Sequence, residues 1–171
     1  EVAGKNVGEG NMPASLGYHP YFPLPLLPDG DRKLCTVQLP CNTYWPLRED
    51  SIPTGETLPV DGTYNLKART ALGDRYYDDV WGGVQFDADG WSCCHFSDPS
   101  AGVQIVVEAD SGFREWVLYA PESRPIVCFE PYTGTTDAVN LQARGVDAGL
   151  VVLKPGEALA GTMRFVPSAI E

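Results

Sequence analysis

Three short blocks carry the residue types best suited to moving protons and gripping a polyhydroxylated ligand. His19, one of two histidines, stands in Gly17-Tyr18-His19-Pro20-Tyr21-Phe22. Pro20 disfavours the α region for His19, so the segment should be extended, with the imidazole direction set by Tyr18, Tyr21 and Phe22. A histidine satisfied by a backbone carbonyl in an aromatic core would show the same residue types. Glu130 ends the apolar run Ile126-Val127-Cys128-Phe129, just before Pro131 and Gly134. Burial beside Phe129 and Tyr132 would disfavour its charged form and raise its pKa toward that of a general base. The plainer alternative is a strand-end glutamate facing water. The third block is Arg75-Tyr76-Tyr77-Asp78-Asp79-Val80-Trp81. Carboxylates accept hydrogen bonds from hydroxyls, and aromatic faces cover the C–H side of a pyranose, so Asp78, Trp81 and Tyr21 are candidate sugar contacts. An Asp-Asp pair can equally cap a turn, and the ligand spacing of a calcium loop is absent.

Short elements must position these blocks. Eighteen glycines and fifteen prolines interrupt the 171 residues so often that few stretches could sustain a helix. Strands are expected at 34–39, 91–96, 103–109, 115–120, 126–130, 150–153 and 161–166, each bounded by turn residues. Val103, Ile105 and Val107 share one face, as a half-buried strand requires. The pattern predicts an all-β chain folded as a large antiparallel β-sandwich, one domain over residues 1–171. The polar stretch 50–75 reads as an irregular excursion of the kind that lies over a site, and Thr135 to Leu141 as a polar turn orienting Glu130.

The hydrophobic fraction of 43% is enough for a substantial core. A formal charge of −11 argues against nucleic acid and anionic membrane as partners and suits a neutral small molecule. No apolar run approaches the length of a transmembrane helix. The five cysteines are an odd number without a CxxC pair, so no zinc framework is visible and no metal is expected. In Cys93-Cys94-His95, strand neighbours point to opposite faces, so these three cannot converge, and His95 reads as structural. Reduced thiols suit a cytoplasmic location. The chain opens at Glu1 without Met, from which further sequence on the N-terminal side is expected.

The order Gly-Tyr-His-Pro-Tyr-Phe at 17–22, Tyr-Asp-Asp-Val-Trp at 77–81, Phe-Glu-Pro-Tyr-Thr at 129–133, Asp-Ala-Val-Asn-Leu at 137–141 and Leu-Lys-Pro-Gly-Glu at 153–157 resembles the aldose 1-epimerase, or galactose mutarotase, family. The resemblance spans nearly the whole chain but only the C-terminal part of the family, whose members are usually about twice the ~150 residues of a typical domain. It implies a β-sandwich of the galactose mutarotase type, Glu130 as general base, His19 as general acid and Asp78 on the sugar hydroxyls, with Asp79 the weaker match. An arginine and a second histidine of the family lie outside this chain. The implied reaction needs no cofactor. Glu130 takes the anomeric hydroxyl proton while His19 protonates the ring oxygen, from opposite sides of the sugar ring, and the opened aldohexose recloses as the other anomer. Three alternatives stay open: a hexose-phosphate epimerase, which would need clustered basic residues, a non-catalytic carbohydrate-binding sandwich, and a chain that is inactive on its own because half a sandwich exposes sheet edges and apolar surface.

Overall fold

The computed structural model describes residues 1–170. Two antiparallel sheets carry the fold. The first orders its strands Phe22–Pro23, Ile126–Tyr132, Glu115–Ala120, Tyr77–Val84, Cys41–Trp45 and Leu58–Pro59. The second runs Met163–Ala169, Val103–Asp110, Trp91–Asp98, Thr36–Gln38 and Thr70–Ala71. Two small ribbons, Val2–Lys5 with Ala158–Gly161 and Met12–Ala14 with Val151–Leu153, complete the strands.

Alternation along the strands explains the layering, because successive side chains point to opposite faces. Trp116 and Leu118 are fully buried, as are Val127 and Phe129 on the neighbouring strand, and all four join one core with Phe96 and Val107 of the second sheet. Phe96 and Phe129 lie with ring centroids 6.3 Å apart, and the Trp116 indole donates to Ser92 Oγ at 3.0 Å. These aromatics thus fill space between the sheets, and the one polar side-chain atom among them, the Trp116 indole nitrogen, is satisfied.

The expected strands at 91–96, 103–109, 115–120 and 126–130 are present and extend by up to two residues, whereas Tyr77–Val84 and Cys41–Trp45 are strands not expected from the sequence and the two-residue strands escape a period-two pattern altogether. The excursion at 50–75 holds only Leu58–Pro59, a 3₁₀ turn at Gly62–Tyr64 and Thr70–Ala71. The polar segment after Glu130 contains the one α-helix among the described residues, Ala138–Ala143. Its buried Ala138 and Leu141 pack with Ala148, which explains a helix where only a turn was expected.

Candidate active site

The face of the six-stranded sheet turned away from the core carries the second half of the same alternation. Register places Asp78 opposite Tyr119 and Tyr119 opposite Cys128, then Val80 opposite Val117 and Val117 opposite Glu130. The next pair on this face is Glu115 opposite Tyr132. A cavity of about 330 Å³ is lined by Asp78, Val80, Val117, Tyr119, Glu130 and Tyr132 of this face, together with His19, Leu47, Ser51 and Thr136.

His19 reaches the cavity because its segment is pinned on both sides. Gly17 bridges Tyr132, the Tyr18 amide donates to Pro131 O at 3.2 Å, and Phe22 pairs with Val127. A Cβ on Gly17 would lie 2.7 Å from the Tyr132 ring, so only glycine allows this approach. Between the two anchors the chain runs alongside Ile126–Tyr132 in one antiparallel register and delivers His19 Nδ1 to 3.3 Å from Glu130 Oε1. The His19 side chain is 44% exposed and that of Glu130 2%.

Burial pushes the Glu130 carboxyl up to about 7, aided by the charge of Asp78 and opposed by the Tyr132 hydroxyl, which donates to Oε2 at 2.7 Å. Tyr132 itself is raised, first by burial and then by its bond to Glu130. Asp78 is also raised by burial, with the His19 charge acting in the opposite direction. One oxygen of Glu130 is thus held by a phenol, and the other faces an imidazole.

The remaining candidates separate cleanly. Tyr21 stacks on the His19 ring, centroids 4.6 Å apart and 2° from parallel, with its hydroxyl 3.4 Å from Nε2, but it is absent from the cavity wall. Asp79 turns inward, where Tyr64 Oη approaches its Oδ1 at 3.5 Å. Trp81 corrects the expectation of a sugar platform. It is 1% exposed, belongs to the core between the sheets and spends its indole N–H on Tyr64 O at 2.9 Å. Trp81 stands three positions beyond Asp78, and an odd spacing on a strand means opposite faces. His95 lies on Trp91–Asp98 of the other sheet.

Sequence reasoning missed Tyr119, whose ring meets His19 edge-on with centroids 6.0 Å apart, and Ser51. Its parity with Glu130 and Asp78 across the register could have exposed Tyr119. Ser51 sits at the tip of a tight excursion closed by the Leu47–Pro53 bridge, with φ at 61°. A non-glycine residue held there costs about 1–3 kcal/mol and often marks a functional loop. The opposed geometry expected for acid and base is not what the chain adopts. At 3.3 Å no sugar ring fits between His19 and Glu130. Adjacent groups still suit the chemistry, since the anomeric hydroxyl and the ring oxygen are both bonded to C1 and can be reached from one side.

A cavity lined by a touching imidazole and buried carboxylate, on a sandwich of this register, coincides with a match of residues 1–166 to the aldose 1-epimerase family model. The chain belongs to the aldose 1-epimerase family. Its fold is that of a galactose mutarotase-like protein from Clostridium acetobutylicum, 23% identical, with a TM-score of 0.83 over 98% of this chain and 51% of that one. A protein from Synechocystis sp. PCC 6803 is 25% identical with a TM-score of 0.67, covering 98% and 49%. A galactose mutarotase related enzyme from Lactobacillus acidophilus is 17% identical with a TM-score of 0.70, covering 99% and 57%. The epimerase-family chain therefore spans about half the length of the solved structures it matches.

Proposed function

We propose that the protein interconverts the α and β anomers of a neutral aldohexose such as glucose or galactose, with Glu130 as base and His19 as acid. The observation carrying this reading is the 3.3 Å contact between an imidazole and a 2% exposed carboxylate at the wall of a cavity. A carboxyl raised to about 7 accepts a proton near neutral pH without being spent as a permanent anion. Proton removal from the anomeric hydroxyl at Glu130 and donation to the ring oxygen from His19 open the ring. Rotation about C1–C2 and reclosure with the roles exchanged give the second anomer.

Asp78 is proposed to hold sugar hydroxyls from the strand Tyr77–Val84, and Tyr21 to act by buttressing the imidazole face. Among the described residues no lysine or arginine lines the cavity, which favours a neutral sugar over a sugar phosphate. We read the two main sheets as one domain, because they share a single core cluster. All five cysteines are free thiols, which supports a cytoplasmic setting within the same proposal, and no described helix is long and apolar enough to cross a membrane.

Polarimetry on freshly dissolved α-glucose and α-galactose tests the reading in the native protein. Glu130→Gln should keep sugar binding and lose roughly 10²–10⁴-fold in the rate of anomer interconversion. Undiminished mutarotation in that variant would reject the assignment, and retained binding by a wild type without mutarotation would favour a carbohydrate-binding role.

A further inference from the structure

Cys128 has no part in the proposed proton transfers, yet its thiol lies beside the groups that would carry them. It shares a face with Glu130 two residues on, is wholly buried, and its Sγ, one His19 ring nitrogen and one Glu130 carboxylate oxygen all lie within 4.8 Å of one another. Three donors of different chemistry thus converge from two separate segments. The cluster is invisible in the spacing of the cysteines, because its second ligand comes from the segment that runs alongside Ile126–Tyr132.

We propose that Cys128, His19 and Glu130 form a zinc-binding site whose occupation excludes turnover of sugar. The second clause rests on the proposed epimerase function; the first stands on geometry alone. A tetrahedral zinc with bonds of about 2.0–2.3 Å holds its ligand atoms roughly 3.3–3.7 Å apart. The contact of His19 Nδ1 with Glu130 Oε1 already has that length at 3.3 Å, and the thiol lies within 4.8 Å of a ring nitrogen and a carboxylate oxygen of the pair, a gap a side-chain adjustment of roughly 1 Å closes. Thiolate with imidazole selects zinc over magnesium or calcium.

The surroundings complete the arrangement. Tyr132 holds Glu130 Oε2 and leaves Oε1, the oxygen facing His19, for the ion, as outer partners of metal ligands commonly do. His19 and Glu130 border the cavity and the buried Cys128 does not, so a fourth coordination position opens toward the cavity. That is the three-ligand pattern with one open site. A bound ion would occupy the imidazole lone pair and the carboxylate oxygen, and neither could then carry a proton.

Metal-free native protein titrated with Co²⁺, then with competing Zn²⁺, tests the site. One equivalent of Co²⁺ should give the intense visible bands of a four-coordinate ion and a thiolate charge-transfer band, both removed by Zn²⁺. Cys128→Ser should abolish the charge-transfer band, and both it and His19→Asn should weaken Zn²⁺ binding at least 10-fold. Circular dichroism checks that the Cys128 variant keeps its fold, and half-exposed His19 supplies an independent variant if it does not. Unsaturable binding, a six-coordinate cobalt spectrum, or variants that bind zinc like the wild type would overturn the site. Polarimetry reads the second clause separately. Mutarotation lost on zinc addition and restored by EDTA supports it, and unchanged mutarotation with zinc bound overturns it. Stoichiometric zinc binding by a protein whose metal-free form shows no mutarotation would leave the metal site standing and remove the epimerase reading.

Discussion

Glu130→Gln should make the protein more stable in alkali while disabling the proposed chemistry. The carboxyl has an ordinary value of 4.5 and sits at about 7 in the fold, chiefly because burial penalises its charge. Below pH 4.5 the group is neutral in folded and unfolded chains, and the fold carries no cost. Between 4.5 and 7 the unfolded chain ionises first and binds fewer protons than the folded one, so unfolding free energy falls with rising pH. Above 7 the loss is complete. At about 1.4 kcal/mol per pH unit the whole interval amounts to about 3 kcal/mol. Glutamine keeps the shape and cannot ionise. Urea unfolding of wild type and variant at pH 5 and pH 9 measures the difference, which should grow by about 2–3 kcal/mol in favour of the variant at the higher pH. Glu115 is raised to about 7 by the same cause but is common to both proteins, so it cancels. A difference independent of pH, or one growing toward acid, would refute the account of Glu130 as a carboxylate held against its charge.

Three other changes probe the supports of the site. Tyr132→Phe removes the 2.7 Å bond to Oε2, a bond to a charged group worth about 1.5–3 kcal/mol, so the acid limb of the mutarotation pH profile should move up by about 1–2 pH units. An unmoved or lowered limb counts against that role. Gly17→Ala places a methyl 2.7 Å from the Tyr132 ring and should lower kcat more than 10-fold while the rest of the fold, read by hydrogen exchange in the second sheet, stays protected. Trp81→Ala should cost about 3–5 kcal/mol of stability by leaving a cavity in the core, whereas Asp78→Asn should leave stability within about 1 kcal/mol and raise the KM for sugar. Denaturant midpoints and steady-state kinetics separate the two.

The legible part of this fold lies in apolar, β-branched runs between turn residues; the eight-residue strand Tyr77–Val84, with two aspartates and two glycines in its run, does not stand out in sequence. Val103–Asp110 and Glu115–Ala120 bury alternate or consecutive apolar positions between long partners, so their periods survive in sequence. Phe22–Pro23 and Leu58–Pro59 pair at only two residues each and owe their conformation to the neighbour they join, information that lies more than a hundred residues away for the first of them. The site divides along the same line. His19, Asp78 and Glu130 stand out because proline, paired acid and strand-end carboxylate are local signals. Trp81 misled because aromatic type speaks of sugar as readily as of core, and only parity with Asp78 tells which. Cys128, Tyr119 and Glu130 become neighbours through register across Glu115–Ala120 and Ile126–Tyr132. The touching acid and base depend on two anchors of the 16–23 segment, the glycine approach to Tyr132 and the Phe22–Val127 pairing. Moving either anchor changes the distance between the two groups, so a site built this way is tuned from outside the residues that perform the chemistry. Gly17, conspicuous only as one of eighteen glycines in sequence, therefore governs the approach of His19 to Glu130 as directly as either partner does.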